Sequence, residues 1–167
     1  MSRDGSLPTL ESGVDLWCDL LCPDCAAMLD DIEALRERTE VRFRHFPLVV
    51  HTWAVPAAQI AEEARVQNVL WPVVTAMLAS NGQIHSPDDL VATAQRGGAA
   101  VTPVRRALAD GRHAGAVARD YRQGRALGVP GTPTITVQGH GGAIVLDGGR
   151  TQTGLRAAVE ALVETLE

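Results

Sequence analysis

The chain has 167 residues, 46% of them hydrophobic and 21% charged, an ordinary globular balance with enough length for one well-packed domain. Its net charge of -5, carried against fifteen Arg and no Lys, supplies no basic patch for nucleic acid or an anionic membrane and no lysine for Schiff-base chemistry. The longest apolar stretch, around Val69 to Ala79, contains Pro72 and falls short of the roughly 20 residues that cross a bilayer, so no membrane span is expected.

Residues 1–12 read as a mobile lead-in. They hold Arg3, Asp4, Pro8 and Glu11 with no hydrophobic run, so no secretory signal is visible and a cytoplasmic location is expected, unless a leader has been removed. Three cysteines do not make a disulfide-rich secreted scaffold.

From Val14 to Leu20 the chain alternates: Val14, Leu16, Cys18 and Leu20 take one face and Asp15, Trp17 and Asp19 the other, the period of a strand. The apolar positions then change period to Cys25, Met28, Leu29, Ile32 and Leu35, a helical stripe. Cys22-Pro23-Asp24-Cys25 sits at the junction. This places Cys22 at the helix N-cap and Pro23 at the first helical position, where a missing N–H costs nothing. Unpaired backbone donors and the helix dipole favour a thiolate on Cys22, while Cys25 begins the buried stripe. Thiols two residues apart can close a disulfide or share a metal, and an exposed, acidified thiol beside a sheltered one is what dithiol exchange requires.

Val41 to Phe46 alternates again and ends at Pro47. A strand, a helix and a second strand within about 35 residues suggest a right-handed crossover and a parallel pair, which brings His45, Phe46 and Pro47 to the sheet edge where Cys22 lies. From Trp53 to about Leu127 strand signals are scarce and Ala, Leu, Val, Glu and Arg dominate. Helices are expected at Ala57 to Val66, Trp71 to Ser80, and Pro87 to Gln95 with Ser86 as N-cap. Thr102-Pro103 reads as a further cap and first helical position, and Ala114, Val117, Tyr121 and Gly124 share a helix face that ends at Gly128. Strand signals return at Thr134 to Val137 and Ala143 to Leu146 around a glycine-rich turn, forming a hairpin, and Leu155, Val159, Leu162 and Leu166 mark a closing helix.

This order, with a closely spaced Cys pair at the first helix, resembles the thioredoxin fold with a helical insertion found in DsbA-like thiol-disulfide oxidoreductases. Three stretches carry the resemblance: Cys22-Pro23-Asp24-Cys25, Arg44-His45-Phe46-Pro47-Leu48 with His51 and Ala54, and Gly128-Val129-Pro130-Gly131-Thr132-Pro133-Thr134. The fold class is therefore α/β, a strand-helix-strand and a strand-strand-helix with an inserted all-helical subdomain. A single domain over 1–167 is expected, its core at 13–52 and 128–167 and its insertion at 53–127.

The resemblance implies a cis peptide bond before Pro133, which packs beside the disulfide, and a backbone at Thr132 that pairs with a substrate chain. It also exposes a departure. Relatives often carry a buried acid six residues before the first Cys, where this chain has Leu16; Asp19 matches an acid seen in many small bacterial members and is the candidate for proton handling. Relatives that are strong oxidants tend to have His before the second Cys. Asp24 instead puts negative charge beside Cys22 and opposes its ionisation, so a less oxidising pair is expected.

The implied activity is thiol-disulfide exchange with protein thiols: Cys22 attacks, Cys25 resolves, Pro23, Asp24 and Asp19 modulate, and Thr132 and Pro133 hold an extended substrate peptide. The partners are a protein with cysteine thiols or disulfides and a recycling protein or small thiol, with no tightly bound cofactor. Two alternatives stand beside it: a low-molecular-weight-thiol transferase or isomerase, against which Cys25 argues, and a non-enzymatic peptide-binding or chaperone module.

Cys18 reads as a small buried hydrophobe pointing into the core, away from the helix start. Cys18, Cys22 and Cys25 spell a C-x3-C-x2-C spacing that can hold an iron-sulfur cluster, but enzymes of that kind usually need a larger barrel. Zinc lacks an H-x3-H or a second Cys pair, so no metal is expected. His45 and His51 read as packing and capping residues, Trp53 and Trp71 as core or groove, and Arg105-Arg106 as a solvated helix face.

Overall fold

The computed structural model describes residues 13–139 and 142–147. The lead-in, the tip of the glycine-rich turn and the expected closing helix lie outside the described residues.

Strand β1 (Gly13–Cys18) is followed by two short helices, α1 (Pro23–Ala27) and α2 (Leu29–Arg38), and by β2 (Val41–His45). Five helices come next: α3 (Ala54–Val66), α4 (Leu70–Ala79), α5 (Pro87–Arg96), α6 (Val101–Asp110) and α7 (Ala114–Ala126). The hairpin β3 (Thr134–Gly139) and β4 (Gly142–Asp147) completes a four-stranded sheet in the order β2-β1-β3-β4.

β1 and β2 are parallel, in a register that sets Cys18 opposite His45, and β1 and β3 are antiparallel. The strand-helix-strand unit and the hairpin thus share one sheet, with the helices inserted between them in sequence.

β1 is an inner strand and is covered on both faces, so its alternation separates two cores rather than core from solvent. Val14, Leu16 and Cys18 join the main cluster with Phe43, Ile60, Val73, Met77 and Leu90, while Trp17 packs with Phe46 and Val129 on the opposite face. On that second face Asp15 is buried and accepts hydrogen bonds from Arg42 Nε at 2.9 Å and Arg44 Nε at 2.8 Å. Trp17 Nε1 donates to Thr136 Oγ1 at 2.9 Å. A buried charge with two guanidinium partners and a buried indole with its acceptor keep these polar groups from being orphaned.

Three local expectations need correction. The first helix is not continuous: the Met28 N–H donates to the Cys25 carbonyl, three residues back rather than four, and the helix stops there before restarting at Leu29. The first strand ends at Cys18, two residues earlier than the alternation suggests, because the Cys22 N–H turns back to the Asp19 carbonyl at 3.1 Å. Thr102-Pro103 does not open a helix either; α6 starts at Val101 with Ala100 in extended conformation before it. Proline is tolerated there because the first turn has no intrahelical acceptor for its N–H. Ser86 does cap α5, its hydroxyl accepting from the Asp89 N–H at 3.1 Å.

Candidate active site

Where β1 gives way to α1, Cys22 has extended dihedrals at the N-cap and Pro23 is the first helical residue, so the local sequence fixes both the helix start and the position of the first thiol. Cys25, one turn on, is fully buried. Pro23 and Asp24 are exposed on the outer side of α1.

From the other end of the chain, the loop before β3 brings Thr132 and Pro133 against this helix start. Their peptide bond is cis. The Cys22 thiol donates to the Thr132 carbonyl with Sγ and oxygen 3.6 Å apart, a contact between residues 110 positions apart in sequence. The Thr132 hydroxyl is buried with no protein partner.

Cys22 is not the open, acidified thiol expected from the sequence. It is only 4% exposed. The Cys25 thiol beside it and its own burial push its ionisation up, outweighing the Thr132 side chain and the Cys25 backbone, which act the other way. Cys22 stands at the helix N-terminus but completes no side-chain capping hydrogen bond. Cys25 is pushed up as well, by burial first and then by the Cys18 thiol, against the opposing influence of Cys22 and the Asp19 backbone. The two sulfurs differ modestly in access, Cys22 being 4% exposed and Cys25 fully buried.

Cys18 lies on the core face of β1, as the alternation predicts. It is buried in the main core cluster, to which Cys22 and Cys25 also belong. Among the described residues, no group of three or more His, Cys, Asp or Glu side chains is arranged to hold a metal.

Asp19 is brought close to the pair by its backbone, while its carboxylate turns the other way. Oδ1 accepts from the Leu21 N–H at 2.8 Å; Oδ2 accepts from the Leu48 N–H at 2.8 Å and lies 2.7 Å from His51 Nδ1. His51 had read as a packing residue, and its pairing with Asp19 is what sequence spacing missed. A groove of about 380 Å3 opens beside it, lined by Leu21, Pro23, His51, Trp53, Asn81 and Ile84.

A closely spaced thiol pair at a helix start, facing a cis-proline loop on a four-stranded mixed sheet, defines the class: a thioredoxin fold carrying a helical insertion. A family model described as the DSBA-like thioredoxin domain matches residues 13–160, and the chain belongs to that family.

Solved structures agree on the fold. SrgA from Salmonella enterica serovar Typhimurium is 20% identical with a TM-score of 0.72, covering 93% of this chain and 92% of that one. The thiol-disulfide exchange protein alpha-DsbA2 from Wolbachia pipientis is 20% identical with a TM-score of 0.71, covering 93% and 83%. A Proteus mirabilis DsbA holding a non-covalently bound peptide is 14% identical with a TM-score of 0.72, covering 97% and 92%.

Two curated relatives are Na(+)/H(+) antiporters. NhaA 3 of Salinispora tropica is 36% identical over 127 residues, which is 74% of this chain and 19% of the relative. NhaA 1 of Salinispora arenicola is 36% identical over 141 residues, 82% of this chain and 21% of the relative. The chain therefore spans about a fifth of the length of the curated relatives it matches. Among the described residues no helix is long and apolar enough to cross a membrane.

Proposed function

We propose that the protein is a thiol-disulfide oxidoreductase that exchanges disulfides with protein thiols through Cys22 and Cys25. The observation that carries this reading is the meeting of Cys22 with the Thr132 carbonyl beside the cis Pro133, with Cys25 one helical turn behind. Membership of the DSBA-like family supports it.

In this reading Cys22, as thiolate, attacks a substrate disulfide, one substrate sulfur leaves with a proton, and Cys25 then attacks the Cys22 sulfur to release the second substrate thiol. The opposite direction runs the same steps in reverse. Pro23 and Asp24 tune the pair from the exposed side, Asp19 fixes the loop around it, and Thr132 and Pro133 hold the substrate backbone in β-like pairing. The peptide bound in the Proteus mirabilis structure supports a protein substrate. A single domain with core 13–52 and 128–167 and helical insertion 53–127 is part of the proposal. Direction depends on potential and compartment: in a reducing cytosol the pair is kept as dithiol and acts as reductant or isomerase, recycled by a partner protein or small thiol, whereas an exported form oxidises.

The test is to equilibrate the protein across a glutathione redox series and count modified thiols by mass spectrometry, alongside reduction of a model protein disulfide. A Cys22 to Cys25 disulfide with a defined midpoint, and loss of turnover in Cys22→Ser, are expected. A pair that never closes, or turnover that survives Cys22→Ser, would overturn the proposal.

A further inference from the structure

Away from the thiol pair, a cleft of about 600 Å3 runs along one face of α4, between α2 and the end of α5. Its floor is Pro72, Thr75, Ala76 and Ala79, at helical spacing and small or apolar, with the Trp71 ring at its start. The sequence explains this shape. Gly97 follows α5 where a Cβ would lie 2.6 Å from Val73 Cα, so the end of α5 rests directly on the first turn of α4 and Arg96 is brought alongside the cleft.

Two arginines line this cleft, and each is held in place by neutral partners. Arg36 Cζ lies 4.0 Å from the centroid of the Trp71 ring, which is itself edge-on to Phe43 at 5.9 Å. Stacking occupies the face of a guanidinium and leaves its N–H edge free. Arg96 Nη2 donates to Ser80 Oγ at 3.0 Å and to Thr93 Oγ1 at 2.8 Å, so the donors on Nε and Nη1 remain for a ligand. Neither arginine forms an ion pair among the described residues. Glu33, one turn before Arg36, accepts from Thr75 Oγ1 at 3.2 Å, and burial works against the Arg36 charge more than Glu33 supports it. The two guanidinium groups mark opposite ends of the cleft, one over Trp71 and the other on Ser80. Between residues 71 and 80 the helix rises about 13 Å.

We propose that this cleft is a binding site for an organic dianion, two carboxylates joined by an apolar chain, with Arg36 and Arg96 taking one carboxylate each and the face of α4 taking the chain between them. The inference goes beyond the exchange chemistry and does not depend on it. A cleft of this volume, mostly apolar with a few fixed polar groups, has the make-up of a small-molecule site. Carboxylates match the guanidinium edge, which offers them two parallel hydrogen bonds. An inorganic anion would meet one end only and leave the apolar floor in water, and an uncharged chain would leave both guanidinium groups without a counter-charge.

The probes are dicarboxylates of increasing length, succinate, sebacate and dodecanedioate, with dodecanoate and dodecanediol as the one-charge and no-charge controls. Each is titrated into the full chain at low salt. Calorimetry gives the affinity, and the indole N–H resonance of Trp71, assigned with Trp71→Phe, gives the location. Dodecanedioate is expected to bind most tightly, to shift the Trp71 resonance while that of the buried Trp17 stays, and to weaken as salt is added. Arg36→Gln and Arg96→Gln, each checked for folding by circular dichroism, are expected to weaken it about fivefold or more, toward the affinity of the parent for dodecanoate. Equal binding of succinate, dodecanoate or the diol overturns the proposal, as does an unmoved Trp71 resonance or unchanged affinity in either folded Gln variant. Should Arg96→Gln fail to fold because it unties α5 from α4, Arg36→Gln and the length and charge series on the parent decide by the same outcomes.

Discussion

His51 holds the Asp19 carboxylate: Nδ1 and Oδ2 are 2.7 Å apart, and the same oxygen accepts the Leu48 N–H. Together with the Leu21 N–H on Oδ1, these contacts join the turn after β1 to the loop after β2, the two segments that frame the thiol pair. Asp19 has 0% side-chain exposure, so each of its hydrogen bonds replaces one that water would have supplied. Replacing it with Asn keeps the shape but turns an NH2 toward one of the donors. Asp19→Asn should therefore destabilise the fold by about 2 to 3 kcal/mol, the range for leaving a buried donor unmet and removing a charged acceptor. His51→Ala leaves both backbone contacts in place and should cost about 1 kcal/mol. Urea unfolding separates these, and an exchange rate for Asp19→Asn with the parent's pH dependence would show that Asp19 positions the loop without handling the proton.

Asp24 stands exposed in the first turn of α1, between Cys22 and Cys25. Its negative charge favours the helix N-terminus but opposes a thiolate on the adjacent Cys22. Asp24→His removes that opposition and supplies a group that can carry positive charge, which stabilises the reduced thiolate form. The reduction potential should rise by about 30 mV or more, since 30 mV is about a tenfold change for this two-electron couple. A glutathione equilibrium series measures it, and a fall in potential would refute the argument.

Glu62 on α3 reaches back to β2, its Oε1 lying 2.7 Å from His45 Nε2 and accepting from Arg65 Nε at 3.0 Å. Burial pushes its carboxyl up, but the His45 hydrogen bond and charge, with Arg65 beyond them, outweigh burial and hold it down at about 2, against an ordinary value of 4.5. A folded-state value below the unfolded one means that the ionised Glu62 stabilises the fold above pH 4.5, and that this contribution drains away as pH falls from about 4.5 to about 2. Glu62→Gln should lose about 2 kcal/mol at pH 6 and show a shrinking deficit toward pH 2. Denaturant unfolding at pH 6, 4 and 2.5 follows the difference between the two proteins.

What the sequence makes legible is what local spacing encodes. The change from strand to helical period at Cys22, the proline at the first helical position and the Ser86 cap each depend on residues within one turn of one another, and each appears where spacing puts it. The parallel pairing of β1 with β2 and the β3 to β4 hairpin likewise form where the alternation puts them. Two features were hidden because they depend on approach between elements. Asp19 meets His51 only when the parallel register sets two loops side by side. Cys22 looked open because the capping position is visible in the sequence, whereas the loop that covers it arrives from residue 132.

The helical insertion grips the sheet at Gly124. A Cβ there would lie 2.8 Å from Phe46 Cδ2 and 2.9 Å from Trp17 Cε3, so only a residue without a side chain lets α7 lie directly on these rings. Phe46 follows β2 and is itself pinned, its N–H donating to the Cys18 carbonyl at 3.0 Å, its ring edge-on to Trp17 and tilted against Tyr121. Neither ring can retreat: Trp17 is fully buried and anchored by Thr136, and Phe46 is 3% exposed. In an open helix, alanine for glycine would gain about 1 kcal/mol from backbone entropy. Here the overlap should reverse the sign, because overpacking a filled core costs about 1 to 3 kcal/mol. Gly124→Ala should therefore unfold at lower urea than the parent by a net of about 1 kcal/mol or more, and Gly124→Val by considerably more. Gly115→Ala, on the same helix with open space around its Cβ, is the control: it should be neutral or slightly stabilising. If the two alanine variants change stability alike, α7 does not owe its seat on the sheet to the missing side chain at Gly124.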